Sequence, residues 1–177
     1  MDDVELISIN KDSILHHNYT IPSIPNGLVD LQGAQLPNSD LVICGGRAHP
    51  GLHCSDEYLH YKEGSNQWKK LGTMKRGRFW HSSVWIDGQL LTTGRSDSSM
   101  NLSSLHEEFS FGEGVKERKE MPIDLGGHTS TIFGQHKMIV CGGWNDKEMI
   151  GKVRKTFFKL RFETRNYISF EIHFLSK

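Results

Sequence analysis

The 177-residue chain has no long apolar run, and nothing in it approaches the ~20 consecutive residues a membrane-spanning helix needs. It also lacks an excess of charge. Lysine plus arginine number 21 and aspartate plus glutamate 21, so no global field favours a nucleic acid or a membrane surface. Cysteine is scarce and odd in number, three in all, which excludes a disulfide scaffold and makes a reducing, cytoplasmic setting the simpler expectation. The opening Met1-Asp2-Asp3-Val4-Glu5 has no signal-peptide layout, so the sequons at Asn18 and Asn101 read as accidental. Phosphate-loop, GxGxxG and nucleophile-elbow patterns are absent. No basic run carries the interleaved aromatics of a nucleic-acid surface. Helical periodicity is nearly missing as well. Glycine alone is in excess, with 18 residues against the usual ~7%.

The glycines punctuate a repeat. Leu41-Val42-Ile43-Cys44-Gly45-Gly46, Leu90-Leu91-Thr92-Thr93-Gly94 and Met138-Ile139-Val140-Cys141-Gly142-Gly143 are apolar runs closed by glycine. Their last glycines, at 46, 94 and 143, lie 48 and then 49 residues apart. Fifteen residues beyond each stands an aromatic: Tyr61, Phe109 and Phe158. Trp68, Met74 and His81 in the first unit answer Val115, Met121 and His128 in the second. On this register Thr93 replaces a glycine of the second unit.

Each unit reads as four short strands. Phe79 to Ile86 is rich in β-branched and aromatic residues, and Asp87-Gly88 is a hairpin turn into Gln89–Thr93, a run expected to be buried on both faces. Arg95 to Ser104 reads as a loop, followed by Leu105–Phe111, a turn at Gly112-Glu113-Gly114, and Val115–Lys119. Three sets of four strands result, over about 28–71, 79–120 and 127–174. The first strand of the first set is placed at Leu28–Gln32. Residues 1–27 are either the end of a preceding set, with strands at Glu5–Ile9 and Tyr19–Ile21, or an irregular segment. The basic, aromatic tail Lys152–Lys177 alternates as a strand does.

These units resemble kelch repeats, whose pattern is an apolar run ending in Gly-Gly, then an aromatic, a Trp, a Met and an Arg. Ile43-Cys44-Gly45-Gly46, Tyr61, Trp68, Met74 and Arg78 follow it. The second unit departs, with Val115 for the Trp and Gly126 or Gly127 near the Arg place. The third keeps Gly142-Gly143 and Phe158. The resemblance covers roughly residues 20–165 and implies an all-β, kelch-type β-propeller segment of four-stranded antiparallel blades, about three to three and a half of them. Gly45, Gly46, Tyr61, Trp68, Gly94, Phe109, Gly142, Gly143 and Phe158 are then structural. The Trp packs between blades, where its loss costs ~3–5 kcal/mol if it is buried.

Up-and-down strands put the loop after the diglycine and the link between blades on one face. That face collects Arg47, His49 and His53, then Lys75, Arg76 and Arg78, then Arg95, Ser96 and Ser98, then Trp144 and Asn145. In several kelch proteins that adapt substrates to ubiquitin ligases, this face reads an acidic peptide. The resemblance therefore implies a partner-binding site of Arg47, Arg76, Arg78, Arg95, Trp144 and Asn145, with guanidinium forks suited to carboxylates. The plainer alternative is that these arginines pair with Asp56, Glu57, Asp97 and Asp146. Trp144 is an anchor for a partner or a cover for the channel mouth.

His49, His53, Cys54 and His60 have metal-ligand chemistry but fit no standard spacing, so neither metal nor cofactor is expected. His81 and His128 are repeat-equivalent and read as structural, holding a backbone hydrogen bond. Cys44 and Cys141 read as small core residues. Catalysis is not expected. A propeller enzyme acting on a sugar or small metabolite, and an actin-associated kelch protein, are the alternatives to a protein-interaction module. Ligase adaptation has one gap: residues 1–27 are too short for the N-terminal dimerisation domain usual in that class. Three and a half blades fall short of the ~4–8 of a closed propeller, so the chain is a fragment, an unusually small ring, or a homo-oligomer.

Overall fold

A computed structural model of the chain describes residues 4–10, 13–48, 53–118, 120–121, 123–132, 138–145, 147, 156–163 and 167–174. For 4–20, 96, 156–163 and 167–174 the structure describes the backbone alone. The described residues are all-β apart from a three-residue 3-10 turn at Pro25–Gly27. Strands β1 (Val4–Asn10) and β2 (Ser13–Ile21) form an antiparallel hairpin. The first four-stranded sheet comprises β4 (Gln32–Gln35), β5 (Leu41–Cys44), β7 (Glu57–Tyr61) and β8 (Trp68–Thr73), neighbours in that order. The second comprises β9 (Ser82–Ile86), β10 (Gln89–Ser96), β11 (Leu102–Ser110) and β12 (Gly114–Arg118), again in chain order. Asp87 and Gly88 join β9 to β10 with φ of 52° and 78°, the doubly positive geometry of a type I′ turn.

One expectation is corrected here. The first strand of the first sheet is not Leu28–Gln32. Leu28–Val29 forms a separate strand, β3, which turns aside to pair with β6 (Arg47–Ala48), and the sheet begins at Gln32. The third set has its four strands within the expected bounds, as the hairpins β13 (Thr129–Ile132) with β14 (Met138–Cys141) and β15 (Thr156–Glu163) with β16 (Tyr167–Phe174), and β14 adjoins β15. Phe158 lies in β15 opposite Ile172.

The sheets stack face to face, and the stacking is the core. Leu90 and Leu91 are both fully buried, on opposite faces of β10. Leu90 joins Val42, Cys44, Tyr58, Met74 and Phe109 between the first and second sheets, where Tyr58 and Phe109 stack with centroids 4.9 Å apart. Leu91 joins Val84, Ile86, Met121, Leu125, Met138 and Val140 between the second sheet and β13–β14. Adjacent positions on one strand thus serve two interfaces, because successive side chains point to opposite faces. Among the inner strands, β9 adjoins both β4 and β13. This architecture is consistent with a β-propeller.

The ladder also sets the repeat register. Cys44 faces Gln32 and Tyr58 as Thr93 faces Ser82 and His106, so Cys44 and Thr93 are equivalent. Gly94 then matches Gly45 rather than Gly46, and the second glycine's place is taken by Arg95, not lost at Thr93. Gly45 and Gly94 share a φ of 64°, and a Cβ on either would lie 2.6 Å from the Cε1 of the imidazole beside it, His81 or His128. Only glycine leaves room for that ring in that backbone conformation. Tyr61–Trp68 and Phe109–Val115 are matching cross-strand pairs, so Val115 stands in the Trp68 place. Four residues before each first strand stand Leu28, Arg78 and Leu125. Leu125, not Gly126 or Gly127, therefore takes the arginine place.

Candidate functional site

The loop after β5 and the link from β8 to β9 share one face because hydrogen bonds sew them together. Gly46 N donates to Arg78 O at 2.8 Å, Arg78 N to Ser55 O at 3.2 Å and Met74 N to Asp56 O at 2.6 Å. The next unit repeats the pattern: Arg95 N to Leu125 O at 3.1 Å, Leu125 N to Ser103 O at 3.4 Å, and Met121 N to Ser104 O at 2.9 Å. The expected gathering of loops on one face is therefore present.

The arginines on those loops are not equally available. Arg78 is buried completely, so its assignment to a partner surface is corrected. Its guanidinium pairs with Glu107, equally buried, and donates to Gly94 O at 3.2 Å. Burial lowers its pKa to about 10. Glu107 also accepts from Lys75 N at 2.8 Å, which ties the link to β11. Arg95 is likewise buried, 3.5 Å from Asp97, and its assignment to a partner surface is corrected too. A strand side chain in the second-glycine place turns inward, where a surface loop residue would not. Arg47 is half-buried, bound to Asp30 at 2.7 Å, with its guanidinium carbon 5.1 Å from the centroid of Phe79. Lys75 and Arg76 are exposed, and neither forms an ion pair with a described residue.

An aromatic row continues from Arg47 across this face. Phe79, fully buried, meets Trp80 edge to face with centroids 5.1 Å apart, and Trp80 meets Trp144 edge to face at 5.9 Å. Trp80 and Trp144 are half-buried. Trp144 is held by a two-way backbone bridge to Gly126, with N···O distances of 2.9 and 3.1 Å. Asn145 follows, half-buried, its Oδ1 accepting from Lys147 N at 2.9 Å. Sequence reasoning singled out Trp144 but missed Phe79, Trp80 and Asp30. Phe79-Trp80 reads as the start of a strand, yet Trp80 has a φ of 54° and precedes the strand.

Among the described residues, the candidate metal ligands His53, Cys54 and His60 do not come together. His60 Nε2 lies 2.9 Å from Asp40, His53 is exposed, and Cys54 bridges to Arg47. His49, Asp146 and the side chains of Ser96 and Phe158 lie outside the described residues, and Ser98 is exposed. Burial raises the Cys54 thiol pKa, Asp97 adds to this, and Arg95 and Arg47 oppose it. His81 Nε2 lies 3.5 Å from Cys44 Sγ and His128 Nε2 lies 3.0 Å from Thr93 Oγ1, and each ring also bonds to the backbone of the same residue. Burial is the main cause that holds His81 well below its ordinary pKa and brings His128 to about 4. Trp68 is half-buried, tilted on Tyr61 at 5.5 Å, and donates to Pro22 O at 2.8 Å. It anchors the segment before β3.

No family model matches the chain, and no curated protein matches it. Among solved structures it is similar to YjhT, with a TM-score of 0.68 at 12% identity over 86% of this chain. At that identity the likeness shows the fold alone, and the chain spans about half, 48%, of YjhT's length. No helix of the described residues is long and apolar enough to cross a membrane.

Proposed function

We propose that the chain is a kelch-type β-propeller segment of about three blades whose loop face binds an acidic segment of a partner protein. The observation that carries this is the row Arg47, Phe79, Trp80 and Trp144, with Lys75 and Arg76 exposed on the link that leads into it. Half-buried aromatic rings near exposed cations are the composition of a protein-binding surface. The glycine-closed repeat and the stacked four-stranded sheets support the fold half of the reading. The role is recognition rather than catalysis, with Lys75, Arg76 and Arg47 as the charged contacts in place of the buried Arg78 and Arg95. Substrate adaptation to a ubiquitin ligase is one use of such a face.

The test is charge reversal where it leaves the core alone. Lys75→Glu with Arg76→Glu should keep the melting curve of the parent. It should weaken binding of an acetylated Glu-Glu-Ala-Ala-Leu-Ala-Glu-Glu peptide about tenfold in fluorescence anisotropy, and parent affinity should fall with salt. An unchanged affinity in the double variant would overturn the reading.

A further inference from the structure

Trp80 and Trp144 form a corner, their rings 5.9 Å apart at 71°. Three features distinguish it from ordinary packing. The first is backbone strain. The place two residues before the first strand of each unit has positive φ: 57° at Asp30, 54° at Trp80 and 64° at Gly127. Aspartate and glycine tolerate that conformation, whereas a bulky aromatic residue resists it. The second is hydrogen bonding. Trp68 donates its indole N–H to Pro22 O at 2.8 Å, but neither Trp80 nor Trp144 donates its indole N–H to any described residue, although both are half-buried. The third is the floor. Trp144 lies against Gly127, where a Cβ would stand 3.3 Å from its Cδ1, so the ring sits flush on backbone. The corner therefore offers two apolar faces and two N–H donors on the loop side of the sheets.

Resting on the binding-module reading above, we propose that Trp80 and Trp144 anchor an extended, proline-bearing segment of the partner, its acidic flank lying toward Lys75 and Arg76. A polyproline II strand has no internal hydrogen bonds and leaves its carbonyls outward, so they can accept from the indoles while a proline ring packs in the notch. Its pre-set conformation keeps the ordering loss on binding small. The exposed cations on the Met74–His81 link leading to Trp80 supply the charge complementarity. Trp80 carries an indole at a place where the next unit, at Gly127, has no side chain at all.

The experiment uses the full chain labelled with nitrogen-15, whose four indole N–H resonances are assigned through single Trp→Phe variants. The probes are acetylated Glu-Glu-Pro-Pro-Leu-Pro-Glu-Glu and its alanine counterpart, Glu-Glu-Ala-Ala-Leu-Ala-Glu-Glu. The proline peptide should shift the Trp80 and Trp144 resonances, leave Trp68 and Trp85 in place, and bind about tenfold tighter than the alanine peptide. Trp80→Gly, which installs the residue found at Gly127, should abolish that preference while the melting temperature holds or rises. Equal binding of the two peptides through Lys75 and Arg76 would overturn the corner proposal and leave the binding-module reading standing. Shifts of the same two indoles by N-acetylglucosamine or maltose, with none by the peptide, would overturn it in favour of a saccharide. A fall in melting temperature in Trp80→Gly with peptide preference kept would make Trp80 a packing residue and also overturn it.

Discussion

Breaking the Arg78–Glu107 pair should destabilise the protein far more than replacing it. Both side chains are fully buried, one on the link between sheets and the other on β11. Glu107→Leu leaves a guanidinium without its counter-charge in a dry site and removes the acceptor of Lys75 N. An uncompensated buried charge costs about 3–5 kcal/mol. At about 2–4 °C per kcal/mol for a domain of this size, the melting temperature should fall by roughly 6–20 °C. Arg78→Leu should fall in the same range, because Glu107 is then left alone. The repeat supplies the compensated alternative. Leu28 and Leu125 stand in the Arg78 place of the other units, and Leu59 stands in the Glu107 place, since Ile43 faces Leu59 as Thr92 faces Glu107. The double variant Arg78→Leu, Glu107→Leu should therefore lie within about 1 kcal/mol of the parent or exceed it. Urea unfolding of the four proteins gives the coupling energy directly. A double variant whose loss equals the sum of the single losses would refute the argument, because the two charges would then act independently.

Two further outcomes follow from the described geometry. Gly94→Ala should destabilise by at least about 3 kcal/mol, since alanine must adopt a φ of 64° and its Cβ would sit 2.6 Å from His128 Cε1; a circular-dichroism melt equal to the parent's would contradict this. Burial lowers His106 to about 3 and His128 to about 4, so the unfolded chain binds these protons first as pH falls. Stability should therefore be full above the ordinary histidine range and drop as pH falls from about 6.5 toward 4. The slope, read from urea midpoints, should be shallower in His128→Asn.

Much of the strand pattern was legible because its signals are local. A glycine-closed apolar run, the Asp87-Gly88 turn and the Tyr61–Trp68 spacing each reflect steric or turn chemistry within one unit, and each is found where it was expected. The candidate site was less legible. Arg47, Arg78 and Arg95 look alike in sequence, all next to glycine-rich loops. One reaches Asp30 across 17 positions, one meets Glu107 inside the core, and one fills a place that elsewhere holds a glycine. Trp80 was hidden because its positive φ is a property of the link as folded.

The sequence alone therefore determined the all-β character and the turns that join neighbouring strands, because turn preferences act between near neighbours. The tertiary structure decided which of the cations face water and which lie inside. That choice depends on where a counter-charge arrives: Glu107 reaches Arg78 from a strand distant in sequence, and Asp97 meets Arg95 from two residues along the chain.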